Sequence, residues 1–341
     1  MIATLHTIGD QRPGLDPRRL RRLMARAMRE LELDLTGRLV VTEAATGAYG
    51  VTPVIAALAG GCQTFAVARD SRYGSAAQAC AYTQDLAIAA GVGDRIELLT
   101  SKDDAPLEAA DIVTNSGHLR PLDGPTVRAM KPGAAIPLMY EAWELRAEDV
   151  DLNACRLGGI RVAGTNERHP AVDVFSYLGA MAVRLLTDAG IAVYSSRLLL
   201  LCDNPFREPI ERGLAGAGAD VVTRARLHDG PADGDWDAVI VALRPRAHPV
   251  LAAADAQRLA ERAPGALVAQ YWGDVDRDGL LEAGVPVWPA APPARGHMGI
   301  LPSALGPEPI VRLQAAGLKV GEVLCRADQL RPGDVDYLDP V

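Results

Sequence analysis

The chain has 341 residues, 49% of them hydrophobic, and a formal net charge of −8. That length suits two domains with a buried core each, and that charge disfavours a dedicated nucleic-acid or membrane-surface binder. No apolar run approaches the roughly 18 residues of a membrane span, no basic-then-apolar leader opens the chain, and the five cysteines form no C-x-x-C pair. The expectation is a cytoplasmic protein with free thiols and no nucleic-acid or membrane partner. The only lysines are Lys102, Lys131 and Lys319, which leaves little room for Schiff-base chemistry.

In chain order, a helix is predicted to begin at Asp16, an N-cap followed by Pro17. Leu20, Leu23, Met24, Ala27 and Leu31 form its apolar stripe, and the arginines between them a solvated face. Residues 1–34 form this N-terminal segment. Residues 35–169 then alternate strand and helix, and residues 195–300 do so again. Gly37–Val41, a helical run to Gly61 and Gln63–Val67 are answered by Ser196–Leu201, a helical run to Gly218 and Asp220–Val222. Asp111–Thr114 is answered by Asp237–Val241, Lys131–Ile136 by Ala263–Val268, and Gly159–Val162 by Gly284–Val287. Alternation of this kind predicts parallel sheets covered on both faces. Residues 170–194 are predicted to hold a long connector helix from Pro170 to Asp188. Residues 301–341 supply a last helix, expected to stop at Gly317, and a polar tail from Ala327.

Only the first repeat keeps glycines in its first strand-to-helix turn, Thr46-Gly47-Ala48-Tyr49-Gly50. Aligned to G-x-G-x-x-G, positions 45, 47 and 50 hold Ala45, Gly47 and Gly50. A glycine at the second position lets a pyrophosphate approach the backbone at a helix N-terminus. Asp70 follows the next strand at the distance of a ribose-binding acid, and Arg69 and Arg72 beside it suit a 2′-phosphate instead. The competing reading is a tight turn with close helix packing and no ligand.

Further polar runs follow other strands of the first repeat. Asn115-Ser116-Gly117-His118-Leu119-Arg120 has the composition of a nicotinamide-ribose contact, with His118 as acid/base and Arg120 as a carboxylate holder. In Tyr140-Glu141-Ala142-Trp143-Glu144, Glu141 is the candidate and Glu144 reads as the start of the next segment. Gly164-Thr165-Asn166-Glu167-Arg168-His169 combines a capping reading with a site role for Glu167 or His169. In the second repeat the corresponding turn, Cys202-Asp203-Asn204-Pro205-Phe206, lacks glycine and carries an acid, so it reads as a helix cap. Gln270, Tyr271, Trp272, Asp274 and His297 are its remaining candidates. No metal-ligand spacing, P-loop or nucleophile elbow is present.

Asp149-Val150-Asp151-Leu152-Asn153-Ala154-Cys155, Gly159-Ile160-Arg161-Val162-Ala163-Gly164-Thr165-Asn166 and the helix after them resemble the D-2-hydroxyacid dehydrogenases. Asp237–Val241 through Gly265 to Leu280 is similar to that family's cofactor domain. His297-Met298-Gly299 falls where its catalytic histidine loop would lie. Asp111–Gly133 is also similar to the cofactor domains of alanine dehydrogenase and adenosylhomocysteinase. The family's glycine loop, due at Cys202–Glu208, is absent, and its catalytic arginine would fall near Trp272. The resemblance implies a divergent member with two tandem doubly wound Rossmann-like α/β domains, a cleft between them and a long connecting helix, the cofactor site having moved to the first domain.

The expected function is an NAD(P)-dependent oxidoreductase for a small polar metabolite. Thr46, Gly47, Ala48, Tyr49, Gly50, Arg69, Asp70, Arg72, Asn115, Ser116 and Gly117 would hold NAD or NADP. His118, Glu141, Glu167, His169 and His297 are the catalytic candidates. The alternatives are a non-redox lyase, isomerase or hydrolase with tightly held NAD or none, and a catalytically silent binding protein. A homodimer is expected.

Overall fold

The computed structural model describes residues 12–229, 235–326 and 329–341. Ala327 and Asp328, the start of the expected tail, lie outside them. In chain order the principal elements are α1 (Pro17–Glu30), β1 (Leu39–Glu43), α2 (Val51–Leu58), β2 (Gln63–Val67), α3 (Ala76–Ala90), β3 (Ile96–Leu99), β4 (Ile112–Val113), α4 (Gly124–Ala129), β5 (Ala135–Pro137), α5 (Leu152–Gly158) and β6 (Arg161–Thr165). They continue with α6 (Tyr177–Asp188), β7 (Arg197–Cys202), α7 (Arg207–Gly216), β8 (Asp220–Arg224), β9 (Ala238–Ala242), α8 (Ala253–Arg262), β10 (Leu267–Trp272), α9 (Arg277–Glu282), β11 (Val287–Trp288), α10 (Pro307–Arg326) and β12 (Leu338–Asp339). The chain divides into two compact units, Met1–Val174 with Gly306–Val341, and Phe175–Leu305. None of the described helices is long and apolar enough to cross a membrane.

In the first unit the strands run β3-β2-β1-β4-β5-β6, all parallel, with β12 antiparallel on the outer edge of β6. β1 is buried along nearly its whole length, as a central parallel strand must be when helices cover both faces. α1 begins as predicted: the Asp16 carboxylate accepts the amide hydrogens of Arg18 and Arg19. Its apolar stripe is buried in the core that also takes α2, α3 and α10.

α10 closes this unit and corrects one expectation. It does not stop at Gly317 but runs on to Arg326. Gly317 is a close-packing residue: a Cβ there would lie 2.4 Å from the Met139 sulfur. One turn later a Cβ at Gly321 would lie 2.9 Å from Ile112. The helix is buried on nearly all sides, so a glycine inside it costs less than the contact it permits. In its second half Lys319 pairs with Glu322 at 3.1 Å, both buried, and its last residue, Arg326, pairs with Asp334 at 2.9 Å.

The second unit has the parallel order β8-β7-β9-β10-β11. β9 and β10 are buried along their whole length, and β7 at all but its first residue. The helix expected from Pro170 begins only at Tyr177. Asp173 has a φ of 49°, which a right-handed helix cannot contain. α6 packs on α7 so closely that a Cβ on Gly213 would lie 2.4 Å from the Gly179 Cα.

Candidate functional site

The strand order of the first unit places its switch point between β1 and β4, whose crossovers lead to opposite sides. Open α/β sheets bind ligands outside the carboxyl ends of the strands at that point. β1 ends there in Glu43, only 8% exposed. Its carboxylate accepts the His118 amide hydrogen at 3.0 Å. Burial pushes the Glu43 carboxyl above its ordinary range, against the opposing pull of the His118 amide bond and of the charges at His118 and Arg120.

His118 lies directly above. Its Nδ1 is 2.9 Å from the Ala44 carbonyl oxygen. A carbonyl only accepts, so Nδ1 carries the hydrogen and Nε2 is the basic nitrogen of the neutral ring. The Arg69 amide also points at Nδ1, but at 3.4 Å, and the shorter contact decides the tautomer. Nε2 has no hydrogen-bond partner among the described residues. Arg69 donates through Nη2 to the Gly117 and Arg120 carbonyls at 2.9 and 3.0 Å. Its guanidinium therefore braces the loop after β4.

Beneath the loop is a buried polar chain. Thr114 Oγ1 donates to Thr42 Oγ1 at 2.8 Å and lies 2.6 Å from the Ser116 hydroxyl. Thr114 has one hydroxyl hydrogen, so Ser116 donates to it, and the Ser116 side chain is committed to the protein. Asn115 Nδ2 donates to the Tyr140 hydroxyl at 2.6 Å, which donates to Asp149 at 2.9 Å. Arg120 reaches the same Asp149 oxygen at 3.4 Å. Burial beside Asp149 pushes the Tyr140 phenol well above its ordinary range. Asn115 Oδ1 and Arg120 Nε are buried with no hydrogen-bond partner.

At the ends of β5 and β6 lies a cluster of carboxyl groups. Glu141, 4% exposed, accepts from the Trp143 indole at 2.8 Å and pairs with Arg168 at 3.4 Å. Glu144 and Glu167 are half-buried. Desolvation, reinforced by Glu141, raises the Glu144 carboxyl to about 7. Desolvation, then Glu144 and Glu141, hold Glu167 well above its ordinary range. β12 seals this corner: Asp339 accepts the Ala142 amide hydrogen at 2.7 Å. His169 turns to a structural task. Its Nδ1 accepts from the Ala171 amide at 3.2 Å, and its ring lies 4.0 Å from that of Tyr337. Burial lowers its imidazole pKa.

Gly47 begins the turn after β1 with a φ of 64°, and a Cβ there would meet nothing within 4 Å. Gly50 serves packing, since its Cβ would meet the Ala45 carbonyl at 2.6 Å and the Tyr82 ring at 3.0 Å. Thr46 and Ala48 are half-buried in this turn. Tyr49 is raised to about 12 by desolvation and then by Glu43. After β2, Asp70 accepts the Ala76 amide hydrogen at 2.8 Å through Oδ1. Arg72 is exposed and bonds the Tyr73 hydroxyl at 2.5 Å.

In the second unit the turn expected to cap α7 does not do so: Phe206 is the N-cap and no side chain caps the helix. Asn204 accepts the Phe206 amide hydrogen at 3.0 Å ahead of the helix, and Asp203 accepts the Arg244 amide hydrogen at 3.0 Å. Trp272 is in the core against Phe206. His297 is half-buried on the segment that returns past β10.

Glu43, Tyr140, Glu144 and Asp149 join the first unit's site without having been sequence candidates, except that Tyr140 and Glu144 stand in a run singled out for Glu141. A glutamate ending an apolar parallel strand four residues before a glycine turn was the one available signal for Glu43. Nothing local marks Asp149, whose role depends on the β5 loop folding back.

No family model matches the sequence, and no curated protein matches it significantly. Among solved structures it resembles a dipicolinate synthase subunit from Bacillus halodurans, with a TM-score of 0.54 and 13% identity, covering 83% of this chain and 96% of that one. A dipicolinate synthase chain from Bacillus subtilis gives 0.53 and 12%, covering 87% and 99%. A putative D-3-phosphoglycerate dehydrogenase from Ralstonia solanacearum gives 0.46 and 13%, covering 88% and 96%. At these identities the likeness is one of fold.

Proposed function

We propose that the chain is an NAD(P)-dependent oxidoreductase for a small polar metabolite, working at the switch point of its first unit. The observation that carries this reading is the order β3-β2-β1-β4-β5-β6 with a glycine turn directly after β1. That is the strand order of dinucleotide-binding sheets. The residues fit such a ligand: space adjoins Gly47, so a pyrophosphate could approach the turn. Asp70 keeps its second oxygen for a ribose hydroxyl, and Arg72 is the arginine placed for a 2′-phosphate.

A bound nicotinamide would supply or accept the hydride. His118 does the proton work. Its Nδ1–H is fixed on Ala44, which leaves Nε2 to take a proton from a carbinol or, when protonated, to give one to a carbonyl oxygen. Glu43, whose burial favours the neutral form, fixes the His118 backbone. Arg120, steadied by Asp149, orients a polar or anionic substrate group.

Calorimetric titration with NAD, NADH, NADP and NADPH tests the reading. Micromolar binding of one form is expected, weakened about ten-fold or more by Gly47→Val, whose branched side chain strains a positive φ and narrows the approach. His118→Ala should lower turnover by about 10²–10⁴-fold at unchanged dinucleotide affinity. Absence of binding at millimolar ligand would remove the dinucleotide from the reading. The second reading is then a lyase, isomerase or hydrolase, favoured by Glu144, whose carboxyl is raised to about 7, and by Glu167, held well above its ordinary range.

A further inference from the structure

Asn115 follows β4 at the first unit's switch point, and its amide has two ends: an acceptor, Oδ1, and a donor, Nδ2. What decides between them lies in a loop far along the chain. The Asp149 carboxylate accepts only, and its Oδ2 lies 2.9 Å from the Tyr140 hydroxyl. The single Tyr140 hydrogen is therefore committed to Asp149. The Tyr140 oxygen, 2.6 Å from the Asn115 amide, must then accept, so the end facing it is Nδ2. Turning the amide round would set two acceptors against each other. Polarity thus passes from Asp149 through Tyr140 to Asn115, and Oδ1 is the end left over.

The backbone fastens every member of this relay. The Asn115 amide hydrogen goes to the Pro137 carbonyl on β5 at 3.0 Å, and the Tyr140 carbonyl accepts from Thr165 on β6 at 2.8 Å. The Asp149 carbonyl accepts from Leu122 at 2.9 Å, and the Leu122 carbonyl from Asp151 at 3.0 Å. Asn115 is 1% exposed, yet Oδ1 has no hydrogen-bond partner among the described residues. A buried acceptor left unfilled is costly, and a donor on a ligand removes that cost. Its neighbours in the loop are occupied otherwise: the Ser116 hydroxyl bonds Thr114, and His118 Nδ1 bonds Ala44.

We propose that Asn115 Oδ1 accepts a hydrogen bond from the nicotinamide nucleoside of the bound dinucleotide, and that Tyr140 and Asp149 are positioning residues that hold the amide in its accepting orientation. This inference rests on the dinucleotide reading of the first unit. The strand order supplies the placement. With the pyrophosphate at the β1 turn and the adenosine ribose at Asp70 after β2, the second nucleoside falls on the other side of β1, over β4 and β5. That nucleoside carries two kinds of donor, ribose hydroxyls and the carboxamide N–H, and either fills Oδ1.

The test is calorimetric titration of the full chain with NAD, NADH, NADP and NADPH, and with ADP as a probe of the adenosine half alone. Tyr140→Phe keeps the ring and the Arg120–Asp149 pair but removes the relay. Asp149→Asn lets the relay reverse, with Tyr140 donating to Oδ1 and Nδ2 left for the ligand. Each variant should bind the dinucleotide about ten-fold or more weakly and ADP as wild type does. Asn115→Ala should weaken the dinucleotide similarly, and adding Tyr140→Phe to it should change nothing further, because Tyr140 acts through that side chain. The 3-acetylpyridine analogue of the form that binds lacks the carboxamide N–H. A loss in Asn115→Ala that persists with the analogue assigns the donor to a ribose hydroxyl, and one that disappears assigns it to the carboxamide. The inference is overturned if Tyr140→Phe binds the dinucleotide as wild type does, if ADP is weakened equally, or if the effects of Asn115→Ala and Tyr140→Phe add. Should Asp149→Asn fail to fold, Tyr140→Phe and the double variant decide alone. A wild-type chain that binds no dinucleotide overturns the reading and this inference together, whereas dinucleotide binding that Tyr140→Phe leaves intact overturns this inference only.

Discussion

At the scale of single residues, the first unit concentrates carboxyl groups that burial disfavours in their charged form. Glu43 accepts the His118 amide hydrogen in either protonation state. Glu43→Gln should therefore fold well and match or exceed wild type in urea melts above neutral pH. Glu43→Leu, which orphans that buried amide, should lose about 1–3 kcal/mol. Equal stability of the two variants would show that the hydrogen bond does not matter. Glu144 extends the argument to pH. Its carboxyl is raised from an ordinary value of 4.5 to about 7, so the folded state binds a proton that the unfolded state releases. Its stabilising contribution is complete below pH 4.5 and is lost as pH rises through about 7. Glu144→Gln should flatten the fall in stability between those values, by an amount on the order of 1–2 kcal/mol. Urea midpoints across that range give the check, and an unaltered slope would contradict the burial argument.

At the scale of elements, several glycines are set by what lies opposite them and not by chain turning. A Cβ on Gly213 would meet backbone atoms of α6 at 2.4 and 2.6 Å. Backbone cannot swing aside as a side chain can, so Gly213→Ala should cost about 1–3 kcal/mol through separation of α6 from α7. Gly216→Ala, where a Cβ meets nothing within 4 Å, is the control and should be neutral or slightly stabilising. A chemical denaturation series on the two variants separates local propensity from packing. The same distinction explains what the sequence reveals. The strands Leu39–Glu43 and Ala238–Ala242 are legible because buried parallel strands need continuous apolar runs. The loop Asn115–Arg120 is legible because a polar run with glycine after such a strand has few structural uses. Gly317 misleads, because a glycine that ends a helix and one that admits a methionine sulfur look alike without the partner. Ser116 misleads similarly, since its commitment to Thr114 depends on the pairing of β1 with β4. Glu43 is hidden by being one polar residue at the end of an apolar strand.

At the scale of the whole molecule, the two units differ in how the chain builds them. The second is one continuous stretch, Phe175–Leu305, whereas the first needs both ends of the chain. Its return segment is central to it: α10 is buried on nearly all sides and takes part in the core cluster of α1, α2 and α3. The tail is held in turn by the Arg326–Asp334 pair and by β12 on β6. Removing residues 306–341 would expose the apolar faces that α10 covers and release the Asp339 contact to Ala142. The carboxyl corner around Glu141, Glu144 and Glu167 would then open to water. The truncated chain should lose the cooperative unfolding of the first unit and bind hydrophobic dyes, while the segment 175–305 expressed alone should melt cooperatively. That segment has its own apolar cores on both faces of its sheet, and a contiguous stretch with its own core can fold by itself. Circular dichroism melts of the two pieces decide the matter. A truncated chain that kept its full melting profile would show that α10 is an accessory to the first unit, and loss of the fold of 175–305 in isolation would show that the second unit depends on the first.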